Sequence, residues 1–178
     1  MRAGKTRLTK ADTIALARSG DPGALAAIYE ANGESLFRLA ARILGSVEEG
    51  EDLIHDLFVG LPELLARYEH RERFEAWLRG VVVRSAIAHL RRNRRRASAL
   101  EARRSIGQLL ARDVWGALDL ERALNTLSAD DRTIIVLTLV EGYSHKEAAE
   151  LMDTNEGAAR VRLTRALKRL RRLLEPPA

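Results

Sequence analysis

Apolar residues recur at intervals of three and four along most of the chain, and no stretch shows a clear strand-like alternation. This period is that of an amphipathic helix, so the pattern predicts an all-α protein. Capping residues, glycine and proline divide this pattern into separate helical segments. The predicted helices cover residues 9–19, 22–44, 47–68, 74–93, 118–127, 129–142, 145–152 and 156–175.

Two of these helices have well-defined ends or breaks. Asp21 followed by Pro22 is an N-cap with proline at the first helical position, and Gly45 is placed to end the helix that starts there. In the next helix Gly60 and Pro62 interrupt the pattern, which predicts a kink or a split near residue 61. The predicted inner face of the helix over 22–44 comprises Leu25, Ile28, Tyr29, Leu36, Leu39, Ala40 and Ile43.

The C-terminal segment predicts a helix-turn-helix. Ser144 and Glu147 form a capping box that starts a short helix, and Asp153, Thr154 and Asn155 are turn and cap residues before a longer one. The apolar stripe of that last helix contains Ala159, Leu163, Ala166, Leu167, Leu170, Leu173 and Leu174.

The opposite face of the last helix is cationic. It carries Ala158, Val161, Arg165 and Lys168, with Arg160 and Arg162 at its flanks. A run of arginines is often only a solvated helix face, but few acidic residues offset these. An exposed valine among arginines suits a DNA major groove, where it contacts a thymine methyl while the arginines hold phosphates or guanine edges.

Composition narrows the classes further. The chain has 178 residues, of which 46% are hydrophobic, enough for one domain or two small ones. It contains no cysteine, which excludes disulfides and zinc-thiolate sites. No apolar run approaches the length of a membrane span, so we expect a cytoplasmic protein. A net charge of +5 indicates a polyanionic partner.

The helix after Ser46 contrasts with this basic background. Residues 46–66 include no lysine or arginine. Acids in the first turn favour a helix N-terminus, which accounts for Glu48 and Glu49 but less well for Asp52 and Asp56. The alternative is a docking surface for a basic protein partner.

Between residues 97 and 117 the hydrophobic pattern weakens, which predicts a tether between two small helical domains. The predicted layout is an N-terminal extension with a short helix over 1–20, a first domain over 21–96, the linker over 97–117 and a second domain over 118–178. Basic residues 94–96 are expected to continue beyond the end of their helix.

Three other functional classes fit parts of the sequence pattern. Asp52 and His55 lie on one helical face as in di-metal bundles, but such sites need a second copy of the motif, which is lacking. We therefore predict no enzyme activity, no catalytic residue, no metal site and no cofactor. A stand-alone dimeric helix-turn-helix regulator remains the principal alternative, and a protein that mimics a transcription factor to sequester its regulator is a third.

Four segments occur in the order seen in bacterial sigma factors of the extracytoplasmic-function (ECF) type, and the chain resembles that family over residues 21–175. They are LFRLAARILG, EDLIHDLFVGL, RFEAWLRGVVVRSAIAHLRR and LSADDRTIIVLTLVEGYSHKEAAELMDTNEGAARVRLTRALKRLRRLL. The resemblance implies a region 2 bundle joined by a linker to a region 4 helix-turn-helix.

The resemblance also implies partners and site residues. Region 2 of the family binds the polymerase β′ clamp helices and recognises and melts the minus-10 element, whereas region 4 binds the β flap and reads the minus-35 element. The family usually has an anti-sigma partner as well. Matching positions for polymerase binding are Glu51, Asp52, His55 and Asp56; for minus-10 DNA, His70, Arg71, Arg84, His89, Arg91 and Arg92; and for minus-35 DNA, Ala158, Arg160, Val161, Arg162, Arg165 and Lys168.

Overall fold

The structure, a computed structural model, describes residues 9–69, 73–100 and 118–174. Every regular element within those residues is helical, which confirms the predicted all-α fold. A π-helical segment, Val136–Val140, comes directly after the α-helix that ends at Ile135. The α-helices are α1 (Lys10–Arg18), α2 (Pro22–Leu44), α3 (Val47–Val59), α4 (Leu61–Ala66), α5 (Phe74–Leu100), α6 (Leu118–Thr126), α7 (Ala129–Ile135), α8 (His145–Leu151) and α9 (Glu156–Leu174).

Helices α1 to α5 form the N-terminal half, in which α2 packs against α1, α3 and α5. The periodic apolar positions of these helices meet in the interior, as their spacing requires. Burial of these side chains supplies most of the stabilisation of the bundle. The largest fully buried side chains in the described residues of this half are Leu36, Ile43, Leu61, Leu65, Leu78, Val82 and Val83.

Side-chain caps set the helix starts in this half. The Asp21 carboxylate accepts a hydrogen bond from the Ala24 amide at 2.7 Å, and the Ser46 hydroxyl accepts one from the Glu49 amide at 3.2 Å. Helix α3 ends at Gly60 and α4 starts at once with a proline in its first turn. The predicted split near residue 61 is confirmed.

Helices α6 to α9 form the C-terminal half, and the predicted helix-turn-helix is present as α8 and α9. Both hydrogen bonds of the Ser144 and Glu147 capping box are formed. Asp153 in the turn has φ 57°, a left-handed conformation that aspartate tolerates better than most residues. The Asn155 side chain then accepts from the Ala158 amide at 2.8 Å and starts α9.

Three details differ from the predictions. Tyr29 is 54% exposed and packs edge-on against Phe58 rather than in the core. Leu173 and Leu174 are exposed because the last turn of α9 extends beyond its buried contacts, of which Leu170 is the last. Helix α5 continues through residues 94–100, since no glycine or proline interrupts that stretch.

The two halves pack against each other through α2 and α7. Arg132 of α7 is only 7% exposed, and its guanidinium donates to the Ile43 carbonyl at 3.2 Å and the Leu44 carbonyl at 2.7 Å. These carbonyls lie at the C-terminus of α2 and have no partner within their own helix. Burial lowers the pKa of Arg132, an effect that the Glu49 carboxylate partly offsets.

No helix in the described part of the chain has both the length and the apolar character needed to cross a bilayer.

Candidate functional site

The acidic face of α3 comprises Glu51, Asp52, His55 and Asp56, and all four side chains are exposed, as their helical spacing predicts. The other side of α3 is buried through Ile54 and Leu57. None of the ion pairs found within the described residues involves Glu51, Asp52 or Asp56. The helix therefore presents a row of carboxylates that the described fold does not use.

Val59 continues this face toward the end of α3. It follows Asp52, His55 and Asp56 at helical spacing and is 70% exposed, the largest value among the big apolar side chains in the described part of the chain. Apolar area of this kind within a charged rim is typical of a protein interface. The sequence pattern predicted the carboxylates and left Val59 out.

A close contact between helix backbones fixes the position of α3. A β-carbon at Gly50 would lie 3.0 Å from the Ala41 backbone of α2, closer than ordinary packing permits. The two helices can approach this closely only because residue 50 has no side chain. The orientation of the acidic face relative to α2 depends on this contact.

The outer surface of α9 is basic and exposed as predicted. Ala158, Arg160, Val161, Arg165 and Lys168 all lie on it, and Val161 is 49% exposed. The opposite side of the helix is held in the core by Ala159, Leu163, Ala166 and Leu170. Packing therefore turns the predicted DNA-reading positions toward solvent.

Arg162 has protein partners that the sequence did not indicate. Its guanidinium lies 3.1 Å from Asp130 and 3.7 Å from Asp131, at the start of α7. Asp131 also pairs with Arg169. The expectation that few acids offset the arginines of α9 is therefore wrong for this flank, because the acids come from a helix about thirty residues earlier. The only signal was the Ser128 and Asp131 pair, which reads as a helix cap.

The predicted minus-10 residues differ in their surroundings: some are exposed and others have partners within the protein. Arg84 and Arg92 on α5 are exposed. His89 lies 3.5 Å from the Glu49 carboxylate and 2.9 Å from Asn93, and Arg91 donates to the Leu151 carbonyl at 3.0 Å. His70 and Arg71 lie outside the described residues.

An aromatic cluster lies at the start of α5. The ring centroids of Tyr68 and Trp77 are 4.8 Å apart, those of Tyr68 and Phe74 are 5.6 Å apart, and those of Phe74 and Trp77 are 5.8 Å apart. Tyr68 and Phe74 are buried, so the cluster anchors both ends of the connection between α4 and α5.

Among the described residues, no group of three histidine, aspartate or glutamate side chains is arranged to hold a metal ion. The surfaces that offer charge and shape for binding are the acidic face of α3, the outer surface of α9 and the part of α5 that carries the exposed Arg84 and Arg92.

Comparison with known proteins gives two family matches. The family described as Sigma-70 region 2 matches residues 28–96, and that described as Sigma-70, region 4 matches residues 117–170. The first match contains the acidic face of α3 and the described part of α5 up to residue 96. The second contains the helix-turn-helix and the outer surface of α9.

Individual relatives agree with these matches. The ECF RNA polymerase sigma factor SigM of Mycobacterium tuberculosis is 27% identical over 172 residues, covering 96% of this chain and 87% of the relative. The ECF RNA polymerase sigma factor SigF of Caulobacter vibrioides is 32% identical over 130 residues, covering 72% and 73%. Among solved structures, sigma factor RpoE of Bartonella quintana, in complex with the anti-sigma factor NepR, has a TM-score of 0.60 and 25% identity, covering 79% of this chain and 90% of that one.

Proposed function

The chain belongs to the ECF sigma factors of bacterial RNA polymerase, and from that premise we propose which of its surfaces bind polymerase and promoter DNA. As a sigma factor it binds core polymerase and directs promoter-specific initiation. We assign residues 21–96 to region 2, 97–117 to the linker and 118–178 to region 4. Two contacts to polymerase and two to DNA are thus joined by one tether, so each binding event raises the effective concentration for the next.

The acidic face of α3 is the proposed docking site for the β′ clamp helices. The observation that carries this assignment is the exposure of Glu51, Asp52, His55 and Asp56 on one face, with no use for the three carboxylates in the described fold. In a chain of net charge +5 they are suited to a basic helical partner. Val59 adds apolar area at the end of the same face.

Run-off transcription with purified core polymerase tests this docking site, using DNA from upstream of the protein's own gene. An Asp52→Arg, Asp56→Arg double variant should lose initiation, since like charges would face each other across the interface. The matched control is Asp52→Glu, Asp56→Glu, which keeps the charge and should still initiate. If neither wild type nor control initiates but both shift the DNA without polymerase, the stand-alone regulator becomes the better explanation.

The outer surface of α9 is the proposed minus-35 reader. Arg160, Arg162, Arg165 and Lys168 supply charge for phosphates and guanine edges, and Ala158 leaves room for close approach of the helix. Val161 is placed for a thymine methyl, because it is the apolar residue at the centre of an exposed basic face. The β flap is the proposed polymerase contact of this half.

A Val161→Ala variant tests the methyl contact directly. Loss of this apolar contact should weaken binding to the minus-35 duplex by about 1 kcal/mol, roughly fivefold. Replacing the contacted thymine with uracil removes the methyl group from the DNA side and should cost wild type about as much. Fluorescence anisotropy should then show no further loss when variant and uracil DNA are combined; fully additive losses would show that Val161 contacts something else.

For the minus-10 element we propose that Arg84 and Arg92 contact the DNA backbone, with Arg91 and His89 joining them. The nontemplate base would be captured near residues 68–73, a stretch of the sequence that includes His70 and Arg71. Strand opening of this kind needs stacking and charge and no covalent chemistry, so we propose that the protein is not an enzyme and needs no cofactor.

We also propose a cytoplasmic location, where polymerase acts, and an anti-sigma partner. The complex of RpoE with NepR supports the second proposal by similarity. Affinity purification from native cells should recover a second protein in addition to polymerase subunits. Recovery of polymerase alone under inducing and non-inducing conditions would argue against an anti-sigma partner.

A further inference from the structure

A small pocket opens at the surface between α2 and the end of α3. Its walls are the rings of Tyr29 and Phe58, whose centroids lie 4.9 Å apart and whose planes meet at 77°. Leu25, Ala26 and Glu30 complete the lining, and the volume is about 270 Å³. Small-molecule sites are typically larger, roughly 300–1,000 Å³, so this α2–α3 pocket suits one side chain of a partner better than a whole ligand.

The Tyr29 ring is seated against the backbone of its own helix. A β-carbon at Gly33 would lie 3.2 Å from Cε2 of Tyr29, which is closer than ordinary packing. Any side chain at position 33 would therefore push the ring out of its place. Even so, 54% of Tyr29 is exposed. The fold thus fixes an aromatic wall and leaves it in contact with water, and exposed aromatic residues of this kind are enriched at protein interfaces.

The α2–α3 pocket is continuous with the acidic face of α3. Phe58 lies one turn after His55 and about 20° around the helix from Glu51, which is two turns earlier. On the α2 side, Glu30 places a further exposed carboxylate at the rim. An apolar pocket bordered by carboxylates is complementary to an amphipathic helix that carries lysine or arginine beside an apolar residue.

We propose that the α2–α3 pocket is the apolar part of the polymerase docking site, and that one apolar side chain of the basic helix bound on the acidic face inserts between Tyr29 and Phe58. The inference rests on the proposed function and adds to it the contact that anchors the partner. The carboxylates attract and orient the basic helix, but exposed ion pairs contribute little affinity. Apolar side chains buried in such pockets commonly supply most of the binding energy of an interface.

Two variants of the full chain alter the pocket in opposite ways. Tyr29→Ala removes one wall, whereas Ala26→Leu fills the pocket and leaves every core side chain in place. Ala26 is an exposed helical position, so this second variant is informative even if Tyr29→Ala lowers the stability. The matched control is Ala27→Leu, because Ala27 is the next residue of α2 and is equally exposed but does not line the pocket.

Binding of each chain to immobilised core polymerase is measured by biolayer interferometry between about 50 and 200 mM salt. Both pocket variants should bind about tenfold more weakly than wild type at every salt concentration, since burial of an apolar side chain is not screened by ions. Ala27→Leu should bind as wild type does.

An Asp52→Asn, Asp56→Asn variant is measured in parallel and should show a different signature. Its loss of affinity should be largest at low salt, where charges on the acidic face are least screened. The dependence on salt therefore separates the contribution of the pocket from that of the carboxylates.

Wild-type affinity in both pocket variants, or an equal loss in Ala27→Leu, would overturn the inference. If the Asp52→Asn, Asp56→Asn variant still binds more weakly at low salt, polymerase docking on the acidic face stands and only the apolar anchor is removed. If that variant also binds like wild type, the docking proposal itself fails. Sedimentation velocity tests the other occupant: a wild-type dimer that Ala26→Leu converts to a monomer would assign the pocket to a second copy of the chain and overturn the polymerase contact.

Discussion

Gly45, the residue after the end of α2, lies directly against the buried guanidinium of Arg132. Its φ is +75°, and a β-carbon there would lie 2.5 Å from Cζ of Arg132. Gly45→Ala should therefore cost about 1 kcal/mol for the left-handed backbone and about 2 kcal/mol more for displacing Arg132 from its two carbonyls. Urea denaturation measures the sum.

Gly20→Ala is the matched control, since Gly20 has φ +84° with no atom near its absent β-carbon. It should lose only the backbone part, about 1 kcal/mol. Equal losses for the two variants would mean that the Arg132 contact contributes nothing to stability.

Single residues also show where prediction from sequence ends. The exposure of Asp52, Asp56 and Val161 follows from helical period alone, because their neighbours on the same helix determine which side is buried. The partners of Arg91, Arg162 and Arg132 lie on other helices. No local pattern encodes such contacts.

At the scale of elements, the crossing of α2 and α3 depends on Gly50. Gly50→Ala places a β-carbon 3.0 Å from the Ala41 backbone, so the helices must separate. We expect a loss of about 1–3 kcal/mol despite the better helix propensity of alanine. The shifted acidic face should also bind core polymerase less well, measured by pull-down.

Gly23→Ala, in α2, should change the stability in the opposite direction. Gly23 lies in the first turn of α2, where the nearest atom to a new β-carbon is the Asp21 carboxylate at 3.4 Å. This variant should be stabilised by up to about 1 kcal/mol. If both variants were destabilised, the loss of stability in Gly50→Ala could not be attributed to helix packing at that position.

The start of α8 should depend on pH. The Ser144 hydroxyl and amide donate to the Glu147 carboxylate at 2.7 and 2.8 Å, and these two hydrogen bonds lower the pKa of Glu147 from its ordinary 4.5. A lowered folded-state pKa means that the contribution is complete above the unfolded value and is lost as pH falls through the folded one.

Ser144→Ala should accordingly lower the urea midpoint near neutral pH, and the difference from wild type should shrink as pH falls below 4.5, because protonation of Glu147 removes the charge that these hydrogen bonds stabilise. Thr9→Ala, which disrupts the equivalent capping box with Asp12 at α1, should show the same trend. A midpoint difference that stays constant with pH would contradict the role of the carboxylate.

Helix starts, the split after α3 and the helix-turn-helix were predictable, because caps, proline and glycine act over three or four residues. The π-helical segment Val136–Val140 and the continuation of α5 to Leu100 were not. The π-helical turn contains one residue more than an α-helical turn, and no local feature of the sequence marks it. The end of α5 was predicted too early because that boundary was placed on charge alone.

At the scale of the whole molecule, two helical halves were predictable and their packing was not. The predicted tether over residues 97–117 permits many arrangements, and the contacts that select one combine charges more than thirty residues apart. Opposite charges on distant helices are too common in a chain with 31% charged residues for sequence alone to pair them.

The two ion pairs of Asp130 have a consequence for counterions. A protein that simply neutralises phosphates releases condensed cations from DNA, so its affinity falls steeply as salt rises. Arg94 and Arg162 already pair with the Asp130 carboxylate, so a phosphate has to replace a carboxylate at each guanidinium, and salt weakens these partly exposed pairs as well. Between about 50 and 200 mM salt, wild type should therefore lose DNA affinity less steeply than an Asp130→Asn variant, as anisotropy titrations would measure. Parallel slopes would mean that Asp130 does not compete with phosphates for these arginines.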